Sequence, residues 1–362
     1  MIKKTLTVNV TDDYKLVVIS DVHAHKDHLV GMLEKLKLTD EDHLVILGDF
    51  LNRGFGSIET YKYIRELEKR PNTYIMKGNH ESFMQRQMSE NSDSQEFFEF
   101  LKAKPYDTLI GELVMKAGVS IDALESPDHM YGLIGQEGLE IQSYLKTLPI
   151  LLYFDDMILV HGGFDPELDL ETEETKFLKF DYYNKRSKVN DKLTIVGHWP
   201  VSELREDQLT NVPLHNKEKN IISIDGGLGG RPTGELNALM IEKTAGVVEK
   251  SLVQYNKFEK KTVQKQHKFK TEPLVYLNYE NEAFEVLSSE GEWSRCRHTA
   301  RGIEFSVFTS LIEPIRKWQI NYVNNFLNLE VGESVEVCCV YDTYALVKYG
   351  DTFGWLMEDQ IL

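Results

Sequence analysis

The chain has 362 residues, of which 41% are hydrophobic, so it is long enough and apolar enough to bury a substantial core. Its 58 acidic residues outnumber its 41 basic ones, which gives a net charge of −17 and argues against long polyanions such as DNA or RNA as partners. A small anionic substrate is still allowed, because a single site can be locally positive.

Three strand-like runs near the start of the chain each end in a polar cluster. The run YKLVVIS (14–20) is followed by DVHAH, HLVILGD (43–49) ends in a Gly–Asp pair, and TYIMK leads into GNHE (78–81). Helical patterns at 29–38 and 57–70 separate the three runs. The order strand, helix, strand, helix, strand predicts parallel pairing, which brings the polar strand ends to one edge of a sheet.

The rest of the first domain continues with helices and then strands. Residues 82–148 have mainly helical patterns interrupted by Gly, Pro and Asp, which predicts a helical insertion over the site. The segment PILLYFDDMILVHGG (149–163) is typical of a hairpin, and LTIVGHWP (193–200) is typical of a further strand. Later runs predict a second, antiparallel set of strands at 221–227, 235–243 and 246–255.

The composition then shifts, which predicts a domain boundary. A basic and polar tract leads us to place a catalytic domain at 1–260, a linker at 261–271 and a mostly-β domain at 272–362. The closing segment, 331–362, alternates like a set of strands and resembles the end of a bacterial SH3-like barrel. The C-terminal domain is therefore a candidate module for binding a protein or a ligand. The alternative is that its aromatic side chains pack a small β core.

Residues of types that commonly bind metal ions follow five of the strand-like runs. Carboxylates, an amide and imidazoles in one place form a mixed oxygen and nitrogen ligand set, which suits Mn, Fe or Zn better than Ca or Mg. Two such ions about 3.5–4 Å apart form a clamp for in-line attack at phosphorus. Each residue alone would more often be structural, but together and in this order they predict a metal centre formed by Asp21, His23, Asp49, Asn79, His161 and His198.

The series SDVHAH, GDFLNRG, GNHE, VHGG and VGHWP resembles the motifs of calcineurin-like metallophosphoesterases over roughly residues 12–250. The motifs are closest to those of the phosphoprotein phosphatase branch, near bacterial Ser/Thr phosphatases and symmetrical diadenosine tetraphosphate hydrolases. This resemblance implies a four-layer αββα sandwich with a dinuclear metal centre. It also implies one metal held by Asp21, His23 and Asp49, and a second held by Asp49, Asn79, His161 and His198.

The resemblance also implies catalytic and substrate-binding roles. A hydroxide that bridges the two metals would attack phosphorus, Arg53 and Asn79 would bind the phosphate, and His80 would protonate the leaving oxygen. A guanidinium can donate two parallel hydrogen bonds to phosphate oxygens and keeps its charge. The tight turn GNHE thus supplies a ligand and an acid from neighbouring residues.

Two departures from the family pattern concern the chemistry. Asn52 stands where protein phosphatases have an Asp that pairs with the catalytic histidine, so it is expected to orient His80 without stabilising the charged ring. A residue other than Asp at this position is similar to the pattern of diadenosine tetraphosphate hydrolases. A second phosphate-binding Arg is missing from its usual place, where the best alignment puts Asp181, and Arg186 is the candidate substitute.

Cysteine usage and hydropathy indicate the expected compartment. The three cysteines, Cys296, Cys338 and Cys339, show no CxxC spacing, so a disulfide framework is not expected and a reducing compartment is favoured. The opening stretch MIKKTLTVNV has basic residues but no apolar segment after them, and no stretch reaches the length of a membrane span. We therefore expect a cytoplasmic protein with no membrane partner.

Together these features predict a phosphoesterase that depends on two divalent ions, with manganese as the expected metal. The leading expectation is hydrolysis of phosphomonoesters, and the resemblance implies a Ser/Thr phosphoprotein as the substrate. One alternative is a bis(5'-nucleosyl)-tetraphosphatase, which hydrolyses dinucleoside polyphosphates. The other is an inactive binding scaffold that keeps the fold, and the presence of Arg53, His80 and all the ligand residues counts against it.

Overall fold

The computed structural model describes residues 4–89, 94–269, 272–280, 283–317 and 321–361. The chain forms two compact units whose segments interleave along the sequence. Two short stretches, 200–212 and 230–235, lie within the expected catalytic domain but belong to the second unit. The first unit comprises Met1–Trp199, Pro213–Gly229 and Leu236–Tyr255, and the second comprises Pro200–Val212, Gly230–Glu235 and Asn256–Leu362.

The first unit contains both strands and helices. Its elements are β1 (Thr5–Val8), β2 (Tyr14–Ile19), α1 (Lys26–Leu36), β3 (His43–Ile46), α2 (Ser57–Leu67), β4 (Thr73–Ile75), α3 (Asn79–Gln87), α4 (Ser94–Ala103), α5 (Leu109–Lys116), α6 (Pro127–Thr147), β5 (Leu151–Phe154), β6 (Met157–Val160), α7 (Glu174–Leu178), α8 (Tyr183–Arg186), β7 (Leu193–Val196), β8 (Leu214–Asn216), β9 (Ile221–Ser223), β10 (Leu236–Thr244) and β11 (Val247–Tyr255).

These strands form two sheets. Strands β2, β3 and β4 pair in parallel, as the order of elements predicts, with Ile19 opposite Ile46 and Ile46 opposite Ile75. Strand β10 pairs with β2 in the antiparallel sense and extends this sheet to the order β11-β10-β2-β3-β4. The second sheet has the order β1-β5-β6-β7-β9-β8 and contains the predicted hairpin of β5 and β6.

The prediction of one separate antiparallel set at 221–227, 235–243 and 246–255 is wrong. Strand β9 lies in the second sheet and pairs in parallel with β7, whereas β10 and β11 form a hairpin on the first sheet. Apolar periodicity shows that each run is a strand, but it does not show which sheet edge the strand joins. Those edges are set by contacts between residues far apart in the sequence, such as Ala238 opposite Ile19.

One apolar core lies between the two sheets. In β2, Leu16 and Val18 point into this core, whereas Val17 and Ile19 point to the opposite face, because successive side chains alternate along a strand. Helices α1 to α6 pack in the apolar cluster on that opposite face. Helices α7 and α8 pack against the outer face of the second sheet. The first unit is therefore a four-layer αββα sandwich, and that prediction is confirmed.

The region 82–148, expected to be a helical insertion, holds most of α3 together with α4, α5 and α6, while residues 90–93 lie outside the described residues. Apolar side chains of these helices, such as Leu113 and Ile141, belong to the same buried cluster as Met32 of α1 and Ile64 of α2. The region is thus continuous with the helical layer of the sandwich.

The second unit is mostly β. One sheet has the order β12-β18-β19-β20, a second has the order β14-β15-β16, and β13 pairs with β17. Its elements are β12 (Glu259–Thr262), β13 (Tyr276–Leu277), β14 (Phe284–Glu290), β15 (Trp293–His298), β16 (Glu304–Phe308), α9 (Ile312–Arg316), β17 (Tyr322–Val323), β18 (Ser334–Tyr341), β19 (Tyr344–Tyr349) and β20 (Thr352–Met357).

Aromatic side chains form much of the core of the second unit. Trp355, Tyr322 and Phe353 are buried in one cluster, and the Trp355 indole donates a hydrogen bond to the Val323 carbonyl at 2.8 Å. This packing matches the alternative in which the aromatic residues build a β core. The SH3-like resemblance and a binding role for this unit stay predictions.

Two further expectations concern the linker and the membrane. Residues 261 and 262 of the expected linker belong to β12, which pairs with β18, and residues 270 and 271 lie outside the described residues. In the described parts of the chain, no helix combines the length and apolar character needed to span a membrane.

Candidate active site

The polar residues that follow the strands come together in the first unit. Four of them, Asp21, His23, Asp49 and His198, have φ values of 56°, 46°, 51° and 66°, in the left-handed region that side chains disfavour. Such backbone strain costs on the order of 1–3 kcal/mol per residue and persists only where surrounding contacts fix it. The loops after β2, β3 and β7 are therefore held in shapes that aim specific side chains at one place.

Asp49 lies at the centre of this group. Its Oδ2 atom lies 3.2 Å from Nε2 of His161, 3.9 Å from Nε2 of His23 and 4.0 Å from Nε2 of His80. Its Oδ1 atom accepts a hydrogen bond from the His80 backbone N–H at 2.8 Å. Carboxylate and imidazole atoms of His23, Asp49 and His80 lie within 4.8 Å of one another, and so do those of Asp49, His161 and His198.

Each of the three predicted histidine ligands has one ring nitrogen beside a fixed acceptor. Nδ1 of His161 lies 2.8 Å from the Leu47 carbonyl, and Nδ1 of His23 lies 3.3 Å from the Leu51 carbonyl. Nε2 of His198 lies 2.9 Å from Oδ1 of Asp181. Because a neutral imidazole carries one proton, an N–H that donates to these acceptors leaves the other ring nitrogen as a lone-pair donor.

This arrangement fits divalent cations. Fixing the tautomer of a histidine through its second nitrogen is a regular feature of metal sites. The Oδ1 atom of Asp21 is buried without a hydrogen-bond partner among the described residues, 3.7 Å from Nε2 of His23. Asn79 adds a carbonyl oxygen, Oδ1, 3.1 Å from Nε2 of His161. When bound, divalent cations at such donors neutralise phosphate charge and lower the pKa of water.

Glu81 fixes the two loops that carry Asp49 and Asn79. Its Oε2 atom accepts the backbone N–H groups of Asp49 and Gly78 at 2.7 and 2.9 Å, and its Oε1 atom accepts those of Phe50 and Leu51 at 3.0 and 3.1 Å. Burial raises the pKa of Glu81 to about 7, whereas the four N–H donors favour the ionised form. The last residue of GNHE is therefore a structural tie between the ends of β3 and β4.

Two glycines allow these loops to approach closely. A Cβ atom at Gly78 would lie 2.2 Å from Oδ1 of Asp49, so any side chain there would push the carboxylate away. At Gly48, where φ is 87°, a Cβ atom would lie 2.6 Å from Cα of Gly78. The glycines of the GD and GNHE motifs thus keep the loops after β3 and β4 in contact.

Asn52 sets the orientation of His80. Oδ1 of Asn52 accepts the Leu109 backbone N–H at 2.9 Å, so its amide nitrogen faces Nδ1 of His80 at 3.2 Å. That amide can only donate, which makes Nδ1 an acceptor and puts the ring proton on Nε2. Nε of Arg53 lies 3.3 Å from the same Nε2 atom. The Arg53 Nε–H points at this Nε2 atom, so with the ring proton on Nε2 the two N–H groups face each other.

The helical region holds the loop that carries Asn52 and Arg53. The Arg53 backbone N–H donates to the Asp107 carbonyl at 2.9 Å. Glu112 of α5 is buried, and its carboxylate accepts the N–H groups at the start of α2, from Gly56, Ser57 and Ile58, at 2.7, 2.6 and 3.1 Å. Three N–H groups at a helix start bind a carboxylate well, because they carry the positive end of the helix dipole.

Asp181 and Arg186, the two residues considered for the place of the second phosphate-binding Arg, have different surroundings. Asp181 accepts the hydrogen bond from His198, which lowers the pKa of Asp181, so it acts on a ligand. The Arg186 guanidinium lies 4.5 Å from the centre of the Tyr182 ring. The role of Arg186 with phosphate stays a prediction.

Sequence reasoning missed one buried carboxylate near the centre. Asp225 follows β9, accepts the Gly227 N–H at 2.7 Å, and is only 2% exposed. Burial raises its pKa to about 6, and the charges of Arg53, His161 and Asp49 also act on that pKa. The signal was present, because Asp–Gly–Gly after an apolar strand repeats the pattern of the other site loops.

The motif series and this geometry agree with a family assignment. Residues 14–223 match the family of calcineurin-like phosphoesterases. The chain belongs to this family, whose members are metal-dependent hydrolases.

The curated relatives include symmetrical bis(5'-nucleosyl)-tetraphosphatases. The symmetrical bis(5'-nucleosyl)-tetraphosphatase of Salmonella paratyphi C is 27% identical over 158 residues, which is 43% of this chain and 45% of that protein. This chain thus matches less than half of the relative's length.

Two solved structures are similar to parts of the chain. One is a protein proposed to be a diadenosine tetraphosphatase, with 14% identity, a TM-score of 0.42 and coverage of 69% of this chain and 98% of that one. The other is a protein serine/threonine phosphatase from Saccharomyces cerevisiae, with 15% identity, a TM-score of 0.41 and coverage of 71% and 84%. At these identities and TM-scores, neither neighbour identifies a substrate.

The Asp181–His198 hydrogen bond leads to a metal-binding prediction. Replacing Asp181 by Ala removes the acceptor that fixes the His198 tautomer, and we expect the affinity for one cation to fall about 10–100-fold. Calorimetric titration of metal-free protein with Mn²⁺ measures this change. The control is Asp191→Ala, which removes an exposed carboxylate elsewhere. Superimposable isotherms for the wild-type protein and the Asp181→Ala variant would contradict the assignment.

The Glu112 contacts lead to a second prediction. Glu112→Gln keeps one acceptor oxygen but turns an NH₂ group toward backbone N–H donors, so the loop of Arg53 should loosen. We expect the free energy of unfolding to fall by about 2–3 kcal/mol, since hydrogen bonds to charged groups are worth about 1.5–3 kcal/mol each. Urea denaturation measures the change, with the exposed Glu125→Gln as control. Equal unfolding curves for the two variants would show that Glu112 does not hold the loop.

Proposed function

We propose that the chain hydrolyses phosphoric esters or anhydrides with the help of two bound divalent cations, of which manganese is the expected species. The observation that carries the proposal is that the proposed ligand and catalytic residues lie close together in one place. His23, His161 and His198 all lie close to the Asp49 carboxylate. Each of these rings has one nitrogen beside a fixed acceptor. Arg53 and His80 lie together at this group, with Nε of Arg53 3.3 Å from Nε2 of His80.

The side chains would divide the work of the reaction. Arg53 donates hydrogen bonds to phosphoryl oxygens and keeps them oriented, and the Asn79 side chain binds beside it. His80 holds its proton on Nε2, from which it can pass to the leaving oxygen as the bond to phosphorus breaks. Glu81, Asn52 and Glu112 do not touch the substrate but fix the loops that present these groups.

Asn52 favours a substrate with a good leaving group. An Asp at this position would accept an N–H from Nδ1 of His80 and stabilise the positively charged ring. The Asn52 amide instead donates to Nδ1, so the neutral ring, a weaker acid, is the form that fits. An anhydride needs less protonation than a serine or threonine ester, because its leaving group is itself a phosphate. Dinucleoside polyphosphates are therefore the substrate class we favour.

Phosphomonoesters, including Ser/Thr phosphoproteins, are the second candidate class. They were the leading expectation from the motif series, and GNHE ends in Glu81, as in the protein phosphatases that the motifs resemble. The choice between the classes depends on the leaving group, so it can be decided by experiment.

The substrate class has a direct test. We expect metal-loaded protein to hydrolyse p-nitrophenyl phosphate and to cleave diadenosine tetraphosphate, and we expect a Ser/Thr phosphopeptide to be the poorest of the three. His80→Asn should lower kcat by about 10²–10⁴-fold with the phosphopeptide, whose poor leaving group depends on the general acid, and should lower it less with diadenosine tetraphosphate. Assays across Mn²⁺, Fe²⁺, Zn²⁺ and Mg²⁺ identify the metal. If wild-type protein released nothing from any of these substrates with any of the metals, the inactive scaffold would be the correct interpretation.

The hydrogen bond from Asn52 leads to a prediction about leaving groups. Asn52→Asp keeps an acceptor for the Leu109 N–H and adds an acceptor for Nδ1 of His80. We expect the rate with phenyl phosphate, relative to p-nitrophenyl phosphate, to rise about tenfold, because a neighbouring carboxylate shifts a pKa by about 1–3 units. The same substitution in a His80→Asn background is the control and should change nothing. An equal effect in both backgrounds would mean that Asn52 does not act through His80.

A further inference from the structure

A cavity of about 220 Å³ lies directly beside the proposed reaction site. It begins at Asn79 and His80 and follows one face of α3, because positions i, i+3, i+4 and i+7 of a helix lie on one side. The other wall comes from α7 and the residue after it. Its lining residues are Asn79, His80, Ser82, Phe83, Arg86, Thr175, Leu178 and Lys179.

The walls of this cavity carry two positive charges, from Arg86 and Lys179, and no carboxylate among the described lining residues. Other lysines nearby on the chain are paired, since Lys176 binds Glu173 and Lys188 binds Glu167. Within the described residues, neither Arg86 nor Lys179 forms such an ion pair. Asp181 is close enough for Lys179 to lower its pKa, but its carboxylate is bonded to His198.

The size and length of the cavity limit what it can hold. Its volume is below the range of about 300–1,000 Å³ that is typical of sites for whole drug-sized molecules. Arg86 follows Asn79 by seven residues, or about 10 Å along a helix axis, and helical side chains lean back toward the N-terminus. The guanidinium therefore extends toward the phosphate site and can reach a group bonded to it.

We propose that this cavity binds a second phosphoryl group, the one joined through an anhydride oxygen to the phosphorus under attack. Arg86 and Lys179 donate charge-assisted hydrogen bonds to its oxygens, and they contact substrate without taking part in bond breaking. The proposal rests on the proposed function, because it places the scissile phosphoryl group at Asn79 and His80. Under this proposal, Arg86 and Lys179 are the residues by which the site distinguishes oligophosphates from monoesters.

Binding of two phosphonates tests the proposal without any turnover. Methylphosphonate carries one phosphonyl group, and methylenediphosphonate carries two joined by a carbon that cannot be hydrolysed. Calorimetry would measure both in Mn²⁺-loaded protein, with free Mn²⁺ held constant. The variants are Arg86→Gln and Lys179→Gln, both exposed positions where folding should be unaffected, with Lys176→Gln as the matched control.

We expect each of the two variants to weaken methylenediphosphonate binding about tenfold, as expected for loss of one hydrogen bond to a charged group, and to change methylphosphonate binding less than about twofold. Lys176→Gln should leave both affinities as in the wild-type protein. The proposal is overturned if both ligands weaken equally, or if methylenediphosphonate binds the variants as tightly as the wild-type protein. Lack of hydrolysis of every substrate would instead overturn the proposed function, and the binding data would still decide this proposal.

Discussion

The candidate site depends on one buried carboxylate, that of Glu81. Its four N–H bonds hold the loop after β3, which includes Asp49, and join it to Gly78. The same loop provides the Leu47 and Leu51 carbonyls, which lie beside the Nδ1 atoms of two histidines. One interaction therefore sets the position of a carboxylate ligand and, through the loop, the tautomers of two imidazoles. Left-handed backbone at Asp49 can persist because so many contacts fix it.

The next part of the loop is held from the other side, by the helical layer. Asn52, Arg53 and the start of α2 are bound by Leu109, Asp107 and Glu112, all on or next to α5. The region expected to cover the site thus positions the groups proposed to contact the substrate. The proposed phosphate-binding and acid groups thus depend on the helices, whereas the proposed metal ligands depend on the strand ends. A change in the helices should alter substrate handling more than metal binding.

The sequence predicted those parts of the site in which the functional residues repeat one local pattern. Strand ends followed by Asp, His or Asn marked the site loops, and the order of elements predicted parallel pairing of β2, β3 and β4. It was uninformative where a contact joins distant residues without periodicity. Nothing local to Glu112 shows that it binds the start of α2, more than fifty residues earlier. The same holds for Asp181 beside His198 and for the sheet that β10 joins.

Electrostatics links the buried carboxylates to the choice of substrate. Asp21, Asp49, Glu81 and Asp225 are each no more than 2% exposed, within a chain of net charge −17. Burying several carboxylates together is costly unless positive charge or hydrogen bonds compensate them. Glu81 accepts four backbone N–H groups, and burial still raises its pKa to about 7. Bound divalent cations would compensate Asp21 and Asp49 further, and they would also reverse the sign of the field that an anionic substrate meets. In the proposed complex, Arg86 and Lys179 add positive charge in the cavity beside Asn79 and His80, where a second phosphoryl group would bind.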